Sequence, residues 1–211
     1  MTDGGRELRA AAARYYAGRL EAGGPTPQGV DWNSAESQEL RFQQLARLLP
    51  DQDFSVVDYG CGYGALYDYL TGDGRRFRYH GYDVAEPMIQ VAADRLGPNP
   101  SVSLTTTRDE LVPADFAVAS GVLNVKGDAP TDAWKAYVYE TIDDLASLGE
   151  RGFGFNVLTA HSDVDRQRAD LFYADPSELL CHCLKTYSRH VALLHDYGLY
   201  EFTVLVRCEA P

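Results

Sequence analysis

From about residue 54 onward, short runs that are apolar at nearly every position alternate with longer stretches in which apolar side chains return every three or four residues. The runs at about 54–58, 77–82, 102–106, 115–120 and 152–158 predict strands, and the stretches at about 64–70, 86–95 and 131–148 predict helices. Continuous apolar runs suit parallel strands buried on both faces. After Pro176 a helix of about 177–185 leads to Val191-Ala192-Leu193-Leu194 and then Phe202-Thr203-Val204-Leu205-Val206. The intervening Asp196-Tyr197-Gly198-Leu199 segment is too short for a crossover helix, so these two strands are expected to pair antiparallel.

Ahead of the alternating region, Leu8, Ala12, Tyr15, Tyr16 and Leu20 recur on one side of a helix at 6–22, which Gly23-Gly24-Pro25-Thr26-Pro27 then breaks. Ser34 supplies the start of the next helix, with Ser37 three residues on, and Leu40, Leu45, Leu48 and Leu49 give it a buried stripe ending at Pro50. The chain therefore reads as one α/β domain, in which a helical segment at 1–50 caps a core at 51–211.

The length of 211 residues suits one sizeable core. A formal charge of −12 argues against nucleic acid and anionic membranes as partners. There is no basic leader with an apolar run and no stretch near the roughly 18 apolar residues that span a bilayer, so a cytoplasmic protein is expected. Cys61, Cys181, Cys183 and Cys208 form no C-x-x-C pair and are read as free thiols. Cys181-His182-Cys183 could suggest a metal, but adjacent helical positions point apart and no second ligand pair accompanies them, so no metal site is expected.

The candidate chemistry starts at Val56-Val57-Asp58-Tyr59-Gly60-Cys61-Gly62-Tyr63-Gly64, a strand running into a glycine-rich turn. Backbone without Cβ atoms can approach a ligand closely, and the helix beginning at Ala65 presents its first amides to the same place. Asp58 closes the strand. About twenty residues on, Tyr79-His80-Gly81-Tyr82-Asp83-Val84 ends a second strand in an acid, placed to accept hydrogen bonds from both hydroxyls of a ribose.

These residues resemble the class I S-adenosylmethionine-dependent methyltransferases from about Ser34 to Arg207. The glycine turn looks like the family's first motif, Gly81-Tyr82-Asp83-Val84-Ala85-Glu86-Pro87-Met88-Ile89 like its second, and Phe116-Ala117-Val118-Ala119-Ser120-Gly121-Val122-Leu123-Asn124 like its fourth. Ser34-x-Glu36-Ser37-Gln38-x-x-Arg41-Phe42, Phe155-Asn156-Val157-Leu158-Thr159 and Phe172-Tyr173-Ala174-Asp175-Pro176 look like a group of small bacterial members. The resemblance implies a Rossmann-like three-layer sandwich, with a seven-stranded, mostly parallel sheet and an antiparallel C-terminal strand pair. It also implies that S-adenosylmethionine lies over the first two strands and gives its methyl group to a small molecule. A nicotinamide-dependent oxidoreductase is the rival, because Gly60-Cys61-Gly62-Tyr63-Gly64-Ala65 also satisfies G-x-G-x-x-G/A. Asp58, however, would repel a pyrophosphate and could pair with a methionyl ammonium. A catalytically silent cofactor-binding protein is a third reading.

On this reading Asp58, Gly60, Cys61 and Gly62 cradle the cofactor, Asp83 holds its ribose, and Val84 and Met88 flank the adenine, although Met88 could equally fill the core. Asp109 would meet the adenine amino group or be a loop charge. Ser120 and Gly121 would form the floor beneath the methyl group, and Asn124 would orient a substrate or simply make a turn. Gln38 and Arg41 share a helix face and could reach the cofactor carboxylate. Tyr15 and Tyr16 could close the pocket, and Tyr137, Tyr139, Tyr173, Tyr187 and Tyr197 could line an aromatic acceptor site. If the acceptor must lose a proton, His161 is the candidate base, with Asp163 or Asp165 behind it and His195 the other imidazole; the alternative for each histidine is an ordinary surface position. The helices at 6–22 and 177–185 offer surfaces for a possible homodimer.

Overall fold

A computed structural model describes residues 3–26 and 34–208; Pro27, at the end of the expected helix break, lies outside them. The elements run α1 (Asp3–Gly23), α2 (Ala35–Ala46), β1 (Gln52–Tyr59), α3 (Ala65–Gly72), β2 (Arg76–Tyr82), α4 (Glu86–Leu96), β3 (Val102–Thr105), β4 (Ala114–Ala119), α5 (Thr131–Leu148), β5 (Gly149–Leu158), α6 (Pro176–Thr186), β6 (His190–Leu194) and β7 (Glu201–Arg207). Two single-turn 3₁₀ helices, Arg108–Glu110 and Val164–Arg166, fall in loops where the sequence predicts no element.

Seven strands form one sheet in the order β3-β2-β1-β4-β5-β7-β6. β1, β2, β3, β4 and β5 are mutually parallel, whereas β7 lies antiparallel to both β5 and β6. The short 195–200 connection therefore does what its length requires: it reverses the chain within the sheet plane.

Strand alternation sorts the side chains into two apolar layers. On one face Phe54, Val56, Tyr79, Phe116 and Val118 meet Phe42, Leu45, Leu66 and Leu70 from α2 and α3. On the other, Val57, Ala117, Phe153, Phe155, Val157, Val204 and Val206 meet Trp134, Val138, Ile142 and Leu145 of α5 and Leu179 and Cys183 of α6. Cys183 is thus core, Cys181 is exposed, and all four cysteines are free. α2 opens with a capping box, in which the Ser34 hydroxyl accepts from Ser37 N–H and the Ser37 hydroxyl accepts from Ser34 N–H, both at 3.2 Å.

α1 packs across α4 and α5, over the carboxyl ends of the first strands. Leu20 sits on Ala85 and Met88. Arg9, nearly buried, donates to Asp144 of α5 at 2.7 Å and lies 5.9 Å from the ring centroids of both Tyr59 and Tyr137. Asp144 also accepts from Tyr59 Oη at 2.9 Å and Arg108 Nε at 3.1 Å, so one carboxylate joins α1, β1, α5 and the loop after β3. No described helix is long and apolar enough to cross a membrane.

Candidate active site

At the end of β1 the chain turns through Gly60, Cys61 and Gly62 into α3. Gly60 and Cys61 both donate to the Tyr82 carbonyl, at 2.7 and 2.9 Å, which fastens the turn to the end of β2. Gly60 has φ +81°, and a Cβ there would lie 2.3 Å from Val122 Cγ2. This crowding brings the turn after β1 directly against the loop after β4. Arg95 of α4 donates to the Tyr63 carbonyl at 2.6 Å and lies over its ring, holding the first turn of α3 from outside.

A cleft opens above this turn, with about 830 Å³ of empty space when the open solvent at its mouth is included. Its walls are Ala12 and Tyr16 of α1, Gln38 and Phe42 of α2, the 58–66 turn, the Tyr82-Asp83-Val84 end of β2, Met88, the Ser120-Gly121-Val122 loop and Tyr137. Two carboxylates stand inside it. Asp83 accepts from the amides of Gly62 at 2.9 Å and Ala85 at 2.8 Å, which use one lone pair on each oxygen. Burial raises its pKa to about 6, against the opposing pull of those two amides. Asp58 accepts from Tyr79 Oη at 2.6 Å, and burial, reinforced by the charge of Asp83, raises its pKa to about 7.

The cleft gathers ten of the twelve cofactor-binding candidates: Gln38, Asp58, Gly60, Cys61, Gly62, Asp83, Val84, Met88, Ser120 and Gly121. Gln38 accepts from Tyr63 Oη at 3.0 Å. Arg41 is a correction. It turns away from the cleft to Glu201 of β7, 2.8 Å from the carboxylate, and donates to the Ser37 carbonyl at 2.7 Å. Both partners are buried; loss of solvent raises the pKa of Glu201 and the Arg41 charge opposes the rise. Asp109 falls instead in an adjoining shallow groove with Arg6, Arg9 and Arg108, which shares only Tyr82 and Val84 with the cleft.

None of the three catalytic candidates lines the cleft. Asn124 is buried, with Oδ1 accepting from Leu158 N and its carbonyl accepting from Phe172 N, so it joins the loops after β4 and β5. His161 and His195 are exposed and face one another with ring centroids 6.2 Å apart. Of the tyrosines proposed for an acceptor site only Tyr137 is in the wall; Tyr139 donates to Glu178, Tyr187 to Asp143, and Tyr197 pairs with Thr203.

Sequence reasoning missed Tyr59, Tyr63, Tyr82 and Phe42 as wall residues. It also passed over Asn156, which is fully buried at the end of β5. Asn156 Oδ1 accepts from Gly121 N at 2.8 Å and its Nδ2 donates to Ser120 Oγ at 3.2 Å, fixing the loop that faces Gly60. A polar residue inside the apolar run Phe153–Leu158 was the available signal.

The fold and the glycine-turned, carboxylate-flanked cleft define the class I architecture of S-adenosylmethionine-dependent methyltransferases. The structure of magnesium protoporphyrin IX methyltransferase from Synechocystis PCC 6803 with bound S-adenosylhomocysteine superposes with a TM-score of 0.65 at 15% identity, covering 96% of this chain and 98% of that one. The S-adenosylhomocysteine complex of DhpI gives 0.63 at 16% identity and 98% coverage of both chains. No established family profile matches the chain. A protein of Mycobacterium tuberculosis provisionally named as a methyltransferase is 46% identical over 154 residues, spanning 73% of this chain and 93% of the relative. The chain belongs to the methyltransferases of this class, and the nicotinamide reading gives way.

The residues present fit S-adenosylmethionine. Gly60 lets the turn after β1 close against Val122, and Asp83 keeps a second lone pair on each oxygen beyond its two amide bonds.

Proposed function

We propose that the protein transfers the methyl group of S-adenosylmethionine to a small-molecule acceptor bound in the same cleft, beneath α1. The observation that carries this reading is the enclosure of the glycine turn, both carboxylates and the Ser120–Val122 loop beneath α1 in a single cleft. A cleft crossed by α1 suits a small molecule better than a nucleic acid, and the net charge of −12 agrees.

When bound, the cofactor supplies an activated methyl group on a sulfonium. The protein's work is then to bind, align and exclude water. Asp83 would hold the ribose hydroxyls while keeping the Gly62 and Ala85 amides in place. Asp58 would favour the cationic methionyl end, its anionic form being stabilised by Tyr79 Oη and by the incoming positive charge. Val84 and Met88 offer apolar surface to the adenine. Ser120 and Gly121, braced by Asn156, would form the floor under the reacting carbon, and Ala12 and Tyr16 would close the roof.

Calorimetric titration with S-adenosylmethionine, S-adenosylhomocysteine and NAD tests this directly. Saturable binding of the first two and none of NAD is expected; binding of NAD alone would overturn the proposal. Tight cofactor binding with no methyl transfer to any member of a broad metabolite pool would favour a catalytically silent protein.

A further inference from the structure

The wall of the cleft has an unusual chemical balance. Among the described residues six aromatic side chains line it: Tyr16, Phe42, Tyr59, Tyr63, Tyr82 and Tyr137. The ionisable groups of the described wall other than tyrosine and Cys61 are two carboxylates, Asp58 and Asp83. No lysine, arginine or histidine is in the described wall, and residues 1–2, 27–33 and 209–211 include none either. Two arginines stand against wall residues from outside: Arg9 lies over the rings of Tyr59 and Tyr137 and is bonded to Asp144, and Arg95 lies over the ring of Tyr63 and donates to its carbonyl.

Such a wall offers flat apolar surface to a ring and no side-chain cation to balance a negative charge on it. An anionic group brought into it would lose its water and meet carboxylates in a poorly screened setting. Aromatic rings, by contrast, pack well in offset or edge contacts with tyrosine and phenylalanine. The tyrosine hydroxyls remain protonated near neutral pH, because burial raises Tyr59, Tyr63, Tyr82 and Tyr137 above their ordinary values. Tyr59 and Tyr63 already give their hydroxyl protons to Asp144 and Gln38, and none of the four can serve as an anionic base.

Resting on the methyltransferase reading, we propose that the methyl acceptor is a small uncharged aromatic molecule, and that the cleft discriminates against its carboxylated analogues. The discrimination comes from the lack of any side-chain cation in the described wall.

The test uses matched carboxamide and carboxylate probes that share a ring and a nucleophile: 3,4-dihydroxybenzamide with 3,4-dihydroxybenzoate, and 2-aminobenzamide with 2-aminobenzoate. Each is titrated into the protein saturated with S-adenosylhomocysteine, and methyl transfer from S-adenosylmethionine is followed by mass spectrometry. The amide of at least one pair is expected to bind, or to be methylated, at least tenfold better than its carboxylate. Tyr16→Arg, which adds a cation to the roof, is expected to shrink that ratio several-fold. Equal or better binding of the carboxylates by the unaltered protein would overturn the proposal. So would a cofactor-loaded protein that takes up neither member of either pair at millimolar concentration, with the methyltransferase reading intact. Failure to bind S-adenosylhomocysteine at all would instead sink the reading on which the proposal rests.

Discussion

Gly60→Ala is the sharpest probe of the cleft, because two separable costs meet at one atom. The first is backbone strain: at φ +81° an L-residue pays about 1–2 kcal/mol that glycine does not. The second is overlap. The new methyl carbon would lie 2.3 Å from Val122 Cγ2, more than an ångström inside the 3.5–4.0 Å of an ordinary carbon contact. Valine is β-branched, and in two of its three staggered χ1 settings a methyl occupies that spot, so relief requires a poorer rotamer or a loop shift. Overpacking of this kind costs about 1–3 kcal/mol, which makes the total about 2–5 kcal/mol. At roughly 2–4 °C per kcal/mol for a chain of this size, the midpoint of thermal unfolding should fall by about 4–20 °C. S-adenosylhomocysteine binding should weaken at least tenfold, since any relief moves the turn or the 120–122 loop. Pairing Gly60→Ala with Val122→Ala removes the overlap but keeps the strain, so a double-mutant cycle read by melting should show about 1–3 kcal/mol of favourable coupling. Zero coupling would refute the claim that Val122 sets the closeness of the two loops, and a single mutant as stable as the parent would refute both halves of the reasoning.

Asp83→Ala should lower stability as well as cofactor affinity, since it strips the Gly62 and Ala85 amides of their acceptor at about 1–3 kcal/mol for each that stays dry; Asp83→Asn, which keeps one acceptor oxygen, should melt between Ala and the parent. Arg41→Met should destabilise by about 3–5 kcal/mol by stranding buried Glu201, and Arg41→Met with Glu201→Leu should recover most of that in chemical denaturation; a double variant as unstable as the single would contradict the pairing. Asp58 and Asp83 titrate near 7 and 6, above the 3.8 expected when unfolded, so their contribution to stability is full below about pH 4 and is lost as pH rises through 6 to 7. A cationic cofactor favours their anionic forms, so S-adenosylmethionine affinity should rise from pH 5.5 to 7.5 with proton release on binding, measurable by calorimetry in buffers of different ionisation enthalpy; S-adenosylhomocysteine, which lacks the sulfonium, should respond less. Arg9→Gln should loosen α1, seen as faster tryptic cleavage at Arg14 and Arg19 and faster cofactor dissociation, with the core melt shifted little.

What could be read from the chain follows from how far each residue's partners lie in sequence. The alternation of strands and helices is local, and α5 matches its expected span because Pro130 precedes it and Gly149 follows. The antiparallel end of the sheet was legible because a short connector leaves no other route. The cofactor side of the cleft was legible for a related reason: parallel strands deliver their carboxyl ends to one edge, so Asp58, Asp83 and Ser120 converge whatever the details of packing. Arg41 illustrates the opposite case. On α2 it sits one turn from Gln38, and helix geometry alone would send both toward the same place; only the arrival of Glu201, 160 residues later, decides that Arg41 is drawn to β7. His161 and His195 lie in loops, where no period constrains direction, and loop side chains take their positions from contacts that sequence spacing does not encode.

The aromatic wall belongs to the same argument. Tyr59 and Tyr82 end β1 and β2, and strand alternation places both on the α5 face, where their rings meet at 4.8 Å. As isolated strand ends they read as core. They become cleft wall because α1 crosses above them and Arg9 reaches past both Tyr59 and Tyr137 to Asp144, a contact spanning 135 residues. On the proposed reading, the cofactor side is specified by local motifs on strand ends, whereas the acceptor side is specified by where an appended helix lands. A relative that kept the glycine turn but altered residues 9, 12 and 16 would be expected to hold the same cofactor and take a different acceptor. Exchanging Arg9, Ala12 and Tyr16 together should therefore shift acceptor preference far more than S-adenosylhomocysteine affinity; an equal loss in both would show that α1 serves the cofactor alone.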